Sequence, residues 1–372
     1  MAKRKSAPRT CAPSAPATIK DVARELGMSI ATVSRALSRP ELLRPQTRER
    51  VMDAVKRLDY RPNLLARSLR QGQAQAILFV APNLSPFFLE IFAGAEMVTR
   101  DTPFALLFGN SDGDLEREQY FFDQVASGRA DGIILLTGVA PAAYASGERP
   151  LPPLVTVLER LPGATVPAVH TDHYAGAREA AQHLIGLGHQ RIAHITGLRR
   201  VPSAIRRLEG FRAGLVAAGL SAHPGLIQTG DFTMASGAAG MAKLMELPQP
   251  PTAVLCGNDE MAYGAIRALH KLGLSVPEDV SVVGFDDQNM AEFYNPPLTT
   301  VNIPRQELGR RAAQQLLDQL AGQAVAREVV LPTRLVVRES TAPPRPAGAC
   351  YTARPDPAAA STGRAAPRGR RR

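Results

Sequence analysis

The N-terminal part of the chain has a helical pattern, because apolar residues recur three and four positions apart. Gly27 ends the first helix, Ser29 is placed to cap a second, and Pro40 ends that one. A third helix is predicted from about Pro45 to Leu58, with Pro45 in its first turn. The apolar positions are Ile19, Val22, Ala23, Leu26, Val33, Leu37, Val51, Val55 and Leu58. The pattern predicts three short helices around one small core.

From Ala76 onward the pattern changes to short β-rich apolar runs that alternate with amphipathic helical segments such as 174–187 and 261–272. This alternation predicts parallel sheets joined by right-handed crossovers. The runs are AILFVAP, FALLFGN, GIILLTG, LVTVLE, AVHTD, RIAHIT, LIQTG, AVLCGN, VSVVGFDD and REVVLP. So many strands in one chain predict an α/β fold class: two doubly wound lobes with a cleft between them, behind a small all-α head.

Charge is distributed unevenly along the chain. It carries 44 Lys and Arg against 34 Asp and Glu, a formal net charge of +10. Residues 1–72 hold 16 basic and 6 acidic side chains, residues 345–372 hold 7 Arg and 1 Asp, and the part between them holds 21 basic and 27 acidic. A basic head on an acidic body predicts a polyanionic partner at one end of the molecule.

The two ends of the chain, 1–17 and 341–372, are rich in Ala, Pro, Arg and Ser, and we expect a disordered basic arm and a disordered basic tail. Cys11, Cys256 and Cys350 fit neither a disulfide framework nor zinc-ligand spacing. No stretch resembles a secretory signal, and the apolar runs are too short to span a membrane. These features predict a cytoplasmic protein with no membrane partner and no cofactor.

A helix, a tight turn at Gly27 and a second helix over 30–37 are predicted to form a helix-turn-helix arrangement. In DNA-binding proteins with this arrangement the second helix lies in the major groove, and we expect the same of residues 30–37. A purely structural αα-corner has a similar pattern, so the basic charge of the head is needed to favour DNA binding. The segments TIKDVARELGMSIATVSRAL and TRERVMDAVKRLDYRPN resemble the DNA-binding head and hinge of LacI/GalR transcriptional regulators. The resemblance implies a DNA-binding domain over 18–62 and a hinge helix and linker over 63–74.

The same resemblance implies which head residues contact DNA. Ile30 and Ala31 occupy the two base-choosing positions and offer apolar contact, and Arg35 offers a bidentate fork to guanine. Arg44 departs from the family, which often has a Ser or Thr cap there, so we expect a weaker start to the third helix. The other implied head contacts are Thr18, Ser29, Thr32 and Ser34.

The hinge contains LLARSL, which Asn63 is placed to cap and which is too short to stay helical alone. By resemblance, Leu69 wedges between base steps at the operator centre and Ala66 packs against its dimer mate. An exposed linker leucine is the alternative interpretation of Leu69.

Residues 75–340 resemble the LacI/GalR core and periplasmic sugar-binding proteins, most clearly in LGHQRIAHITG, GNDEMAYGAI, VPEDVSVVGFDD and PPLTTVNIPRQELGRRA. The resemblance implies a type I periplasmic-binding-protein-like body that binds effector and dimerises. GDFTMASG and LPQPPTAVLCGND resemble the cytidine-responsive branch most. The implied partners are a pseudo-palindromic operator, a second copy of the chain, and a small polar effector such as a sugar, sugar acid or nucleoside. The apolar helix with Phe88, Ile91, Phe92 and Ala95 is implied as a dimer contact.

Ligands of open parallel sheets bind beyond the carboxyl ends of the strands, so polar and aromatic residues there are candidates for effector contact. They are Ser85, Phe87, Phe88 and Asn110 in lobe one and Glu159, Arg207, Phe232, Asn258 and Asp286 in lobe two. The resemblance implies effector contact for the last four. Core packing of the two Phe residues, a loop cap at Asp286 and a structural ion pair at Arg207 remain open.

Two other functions fit part of the pattern. A solute-binding component of a transport system has this kind of body but needs an export signal and leaves the basic head unexplained. An enzyme is disfavoured because GxxxxGK[ST], GxSxG and HExxH are absent from the sequence. We consider His170, Asp172 and His173 structural rather than metal-binding, since one strand end with so few groups rarely makes a metal centre. The sequence therefore favours an allosteric transcriptional repressor.

Overall fold

The computed structural model describes residues 17–38, 43–60 and 73–346. The chain divides into two units, Met1–Ala74 and Gln75–Arg372, which we describe separately as the head and the body. The predicted hinge contacts Asn63, Ala66 and Leu69 lie outside the described residues.

The head contains α1 (Ile19–Leu26), α2 (Ile30–Ser38) and α3 (Pro45–Arg57). Their inward-facing side chains form one small core: Val22, Ala23, Val33, Ala36, Val51 and Ala54. An ion pair between Arg57 Nη2 and Glu25 Oε1, 2.7 Å long, joins α3 to α1 at the surface. The predicted three-helix head is confirmed.

The first lobe of the body is built before the chain crosses to the second. Its elements are β1 (Ala76–Ala81), α4 (Pro86–Thr99), β2 (Ala105–Asn110), α5 (Leu115–Ala126), β3 (Gly132–Leu135), α6 (Ala142–Ala145), β4 (Leu154–Val157) and β5 (Ala168–Thr171). Strand β1 is buried along its whole length, as the apolar run AILFVA requires of a strand with helices on both faces of its sheet.

The second lobe follows, and the chain then returns to lobe one and finally to lobe two. Its elements are α7 (His173–Gly186), β6 (Ile192–Thr196), α8 (Pro202–Ala217), a 3-10 turn (Pro224–Leu226), β7 (Ile227–Thr229), α9 (Met234–Met245), β8 (Ala253–Cys256), α10 (Asp259–Lys271), β9 (Ser281–Asp286), α11 (Met290–Phe293) and β10 (Thr299–Asn302). The returning elements are α12 (Arg305–Leu320) and β11 (Glu328–Leu331) in lobe one and β12 (Arg334–Val336) in lobe two.

Each lobe has one six-stranded sheet. The order is β11-β5-β4-β3-β1-β2 in lobe one and β12-β10-β9-β8-β6-β7 in lobe two. The pairs are parallel except for β12, which runs antiparallel to β10. The predicted doubly wound α/β body is confirmed, and every apolar run predicted as a strand contains one. Strands β10 and β12 were not predicted.

Helices α4 and α12 of lobe one pack at very short range. A Cβ atom at Gly94 would overlap the carbonyl oxygen of Gln306, and one at Gly309 would overlap that of Ile91. The face of α4 with Ile91 and Ala95 is fully buried in this contact. The prediction that these two residues form a dimer contact is therefore wrong: they belong to the core of lobe one.

In the described part of the chain, no helix combines the length and the apolar character needed to cross a membrane.

Candidate functional site

The start of α1 is fixed by a local hydrogen-bonded pair. The backbone N–H and the hydroxyl of Thr18 donate to Asp21 Oδ2 at 2.9 and 2.7 Å. These bonds lower the pKa of the Asp21 carboxyl, with the Thr18 hydroxyl as the largest cause. At the other end of the helix Gly27 adopts φ 62°, the left-handed conformation that glycine tolerates. The turn between α1 and α2 is therefore set by local sequence.

Ser29 caps α2, as predicted. Its Oγ accepts from the backbone N–H of Thr32 at 3.0 Å and lies 2.8 Å from the Thr32 hydroxyl. By contrast, Arg44 gives α3 no side-chain cap, and the helix begins with Pro45 in its first turn. The expected weaker start of α3 thus has a structural basis.

One face of α2 projects from the head. Ile30 is 43% exposed, Ala31 and Arg35 are also exposed, and Thr32 and Ser34 are half-buried. Val33 is fully buried in the head core. The helix, packed on the head core, therefore presents two apolar side chains and a guanidinium, which are groups that can contact base edges in a major groove.

A cavity of about 490 Å³ opens at the carboxyl ends of β4 and β5, beside the start of α8. Its lining contains Leu158, Glu159, Arg160, His170, Thr171, Asp172, His173, Pro202, Ser203, Arg206 and Val330. Of the predicted effector residues, this lining includes Glu159. The prediction that Glu159 belongs to lobe two is wrong, because it directly follows β4, a strand of the lobe-one sheet. Both lobes contribute, because β4 and β5 belong to lobe one and α8 to lobe two.

Glu159 links the two lobes across this cavity. One of its carboxylate oxygens accepts from the hydroxyl of Ser203, and the other accepts from the Ser203 backbone N–H at 3.2 Å. Burial raises the pKa of Glu159, and the two bonds from Ser203 oppose this effect. Ser203 was not predicted, because a serine in the first turn of a helix is too common to single out.

Arg207 lies in α8, is 5% exposed, and donates in three directions. Nε donates to His173 Nδ1 at 3.4 Å, Nη2 donates to Asp286 Oδ1 at 3.4 Å, and Nη1 donates to the carbonyl oxygen of Gly257. Its Cζ lies 3.9 Å from the ring centroid of Phe285. The structure thus contains the ion pair that was left open as an alternative for Arg207. Its partner is Asp286, the last residue of β9.

His173 is held in one neutral form by this arrangement. Its pKa is well below the usual value because of burial and, next, the charge of Arg207. Since Nδ1 accepts from Arg207, the ring carries its proton on Nε2, which lies 3.5 Å from the Thr171 hydroxyl. His173 therefore also contacts Arg207, a predicted effector residue, which the sequence pattern does not indicate.

Asp286 ends β9 with φ 115°, a left-handed conformation that is strained for a residue with a side chain. It is 4% exposed. Burial raises its pKa from 3.8 to about 6, although Arg207 and Arg305 act in the opposite direction. The neighbouring Asp259 is fully buried, accepts from the backbone N–H of Gln288 at 2.7 Å, and also has a raised pKa because of burial.

Replacing Asp286 by Asn should reduce the pH dependence of stability in the acidic range. The pKa of this carboxyl is higher in the folded state, about 6 against 3.8, so the folded state binds the proton more tightly. The stabilisation of the folded state that comes from this tighter proton binding is complete below pH 3.8 and is lost as the pH rises through about 6. Urea unfolding at about pH 4 and about pH 7 should show the variant gaining relative to wild type at the higher pH. The opposite sign would mean that Arg207 outweighs burial.

Phe232 and Asn258 are joined by a hydrogen bond, and the Phe232 ring packs on Gly197. Phe232 has φ 71°, and its ring fills the space where a Cβ of Gly197 would lie. The Asn258 amide Nδ2 donates to the Phe232 carbonyl oxygen at 3.0 Å, while Oδ1 caps α10 by accepting from Met261 N at 3.0 Å. Both therefore have local structural contacts at the strand ends of lobe two.

The four candidates predicted for lobe one do not line the described cavity. Ser85 precedes α4, and the rings of Phe87 and Phe88 meet edge-on at 5.2 Å and pack against the core. Asn110 Oδ1 accepts from the Asp112 N–H at 3.0 Å in the turn after β2. The structure thus supports the core interpretation of the two Phe side chains.

Two family profiles and a curated relative match most of the chain. Residues 18–63 match the profile of bacterial regulatory proteins, lacI family, and residues 181–341 match that of a periplasmic binding protein-like domain. The transcriptional repressor CytR of Escherichia coli (strain K12) is 38% identical over 328 residues, covering 87% of this chain and 96% of CytR.

Solved structures agree with this match. The lac repressor dimer bound to operator and the anti-inducer ONPF has a TM-score of 0.79 at 29% identity, covering 88% of this chain and 100% of that one. The complex of the transcriptional regulator CelR with cellobiose has a TM-score of 0.66 at 33% identity, covering 87% and 99%. This chain therefore belongs to the lacI family of bacterial regulatory proteins.

Proposed function

We propose that the chain is a sequence-specific transcriptional repressor whose affinity for operator DNA is controlled by a small hydroxylated effector. The observation that carries this proposal is the capped helix α2, which exposes Ile30, Ala31 and Arg35 from a basic head. The same chain has a two-lobed body with a buried polar cluster at its strand ends. The relatives CytR and the ribose operon repressor of Escherichia coli (strain K12) are repressors by name, which fits this function.

The proposed effector site combines Glu159, Ser203, His173, Arg207 and Asp286. Two carboxylates, a guanidinium, a hydroxyl and an imidazole N–H offer the acceptors and donors that a sugar or nucleoside needs for orientation. The nearby ring of Phe232 adds an apolar face for a sugar or base. The CelR structure contains cellobiose, a sugar. A thermal-shift screen of cytidine, adenosine and cellobiose against the full-length protein identifies the effector class.

The second partner is another copy of the chain, since the lac repressor structure is a dimer on operator. The outer face of α4 carries Leu89, Ala93 and Met97 four residues apart, with Leu89 43% and Met97 48% exposed. We assign this stripe as a dimer contact in place of Ile91 and Ala95. A dimer requires a pseudo-palindromic operator, because its two heads are related by symmetry.

Replacing Arg35 by Ala should weaken operator binding by about 1–3 kcal/mol and relax base choice at one position. The side chain is exposed on α2, where a guanidinium can bind a guanine edge with two hydrogen bonds. Fluorescence anisotropy with a duplex selected from genomic fragments measures the loss. Arg149→Ala, an exposed Arg→Ala change in the body and away from α4, is the control and should leave affinity unchanged. Equal losses on selected and random duplexes would exclude a base-reading role for Arg35.

A further inference from the structure

Arg305, the first residue of α12, connects three parts of the body with one side chain. It is 6% exposed. Its Nε donates to Glu90 Oε2 at 2.8 Å, Nη2 donates to the carbonyl oxygen of Asp287 at 2.8 Å, and Nη1 donates to that of Asp286. Because a guanidinium is planar and rigid, its donors cannot follow partners that move in different directions. The side chain therefore fixes the distance between those partners.

One end of this connection is lobe one. Glu90 lies in α4 and is 24% exposed, so its ion pair with Arg305 is partly shielded from solvent. Helix α4 contacts α12 at Gly94 and Gly309 with no room for a Cβ. A displacement of α4 at Glu90 is consequently a displacement of the whole α4–α12 pair.

The other end is the turn after β9 in lobe two, which carries Asp286. The carboxylate of Asp287 in this turn accepts hydrogen bonds from two side chains, those of Asn302 and Arg338, each at 2.8 Å. Asp286 in turn receives the Nη2 of Arg207. Arg305 thus binds the backbone carbonyl oxygens of Asp286, whose carboxylate belongs to the proposed effector site, and of Asp287. The same side chain binds Glu90 in lobe one.

The position of Arg305 along the chain supports a mechanical role. It stands just after β10, where the chain crosses from lobe two back to lobe one. A change in the angle between the lobes has to be accommodated at such a crossover, and a rigid fork there has to follow one lobe or break a bond. Arg305 is therefore placed where lobe motion and the effector turn meet.

We propose that Arg305 is a positioning residue that couples the turn of Asp286 in lobe two to helix α4 in lobe one through Glu90. The inference rests on the proposed function for its regulatory meaning, since effector contact at Asp286 then moves lobe one. The alternative is that Arg305 only caps the end of β9 by binding the carbonyl oxygens of Asp286 and Asp287. In that case the charge of Glu90 has no effect on the stability of the turn. The two roles differ in what a change at Glu90 does to Asp287 and Gln288.

The test is hydrogen exchange by mass spectrometry on the full-length protein without ligand, comparing Glu90→Gln with Glu96→Gln. Glu96 lies on the same helix and pairs with Arg100 at the surface, at 3.2 Å, so it is a matched control. The backbone N–H groups of Asp287 and Gln288 bond to Thr300 and Asp259 and report on the turn. We expect Glu90→Gln to speed exchange of this turn about tenfold, and Glu96→Gln to leave it unchanged.

Faster exchange confined to α4 in Glu90→Gln, with the turn unchanged, would overturn the coupling. An equal effect of Glu96→Gln would overturn it as well. In the operator assay with cytidine, adenosine or cellobiose, Glu90→Gln should reduce the ratio of operator affinities with and without effector while effector still binds. A wild-type protein that binds neither DNA nor any of these compounds would count against the proposed function, and the exchange result would still decide the coupling.

Discussion

Replacing Arg207 by Met should abolish the effector response of operator binding and destabilise the body by about 3–5 kcal/mol. The variant leaves Asp286 buried without its charged partner and removes a donor from His173. Burial already raises the pKa of Asp286 to about 6, with Arg207 opposing it, so this pKa should rise further in the variant. Urea unfolding measures the stability, and anisotropy with cytidine, adenosine and cellobiose measures the response.

Two controls separate the buried pair from the general loss of an arginine. Arg206→Met changes the neighbouring side chain, whose pair with Glu209 is exposed, and should cost less than about 1 kcal/mol. The double variant Arg207→Met with Asp286→Leu removes both charges and should recover most of the stability without recovering the effector response. A response that survives in Arg207→Met would remove this residue from the effector site.

Replacing Gly309 by Ala should destabilise lobe one by about 3 kcal/mol or more, because the new Cβ would overlap the carbonyl oxygen of Ile91 in α4. Backbone atoms cannot rotate away as a flexible side chain can, so the α4–α12 pair has to separate. Thermal unfolding of the full-length protein, monitored by circular dichroism, measures the effect.

Gly186→Ala is the matched control for this substitution. Gly186 ends α7, and no atom lies within 4 Å of a Cβ built there. This change should stabilise the protein by about 0.5 kcal/mol, since Ala is favoured over Gly in helices. Both variants restrict the unfolded chain equally, so their difference reports the folded contact. Similar stabilities of the two variants would contradict the close helix contact.

Local pattern was enough for most elements but not for β10 and β12. Thr299–Asn302 is polar at most positions although three of its residues are buried, and Arg334–Val336 is too short to stand out. β10 pairs with β9 and β12 pairs with β10, and both pairings join segments that are separated along the chain, so no local period indicates them. Both missed strands lie in lobe two, next to a crossover between the lobes.

The helix α4 shows the same limit for function. Its apolar residues at Ile91 and Ala95 predicted burial correctly, but burial against a second copy and burial against α12 give the same spacing. Only the packing against Gly94 and Gly309 distinguishes the two. Once the inner face of α4 is assigned to the contact with α12, the exposed stripe with Leu89 and Met97 is the face of this helix left for a dimer contact.

The amino-acid sequence by itself determined the helix-turn-helix head, the alternation of strands and helices, and the family, because caps, turn glycines and periodic apolar residues act over a few positions. The tertiary structure alone decided which charged groups meet: Glu159 with Ser203, Arg207 with His173 and Asp286, and Arg305 with Glu90. These partners lie far apart in the chain, and their pairing depends on strand order and on the crossovers between lobes.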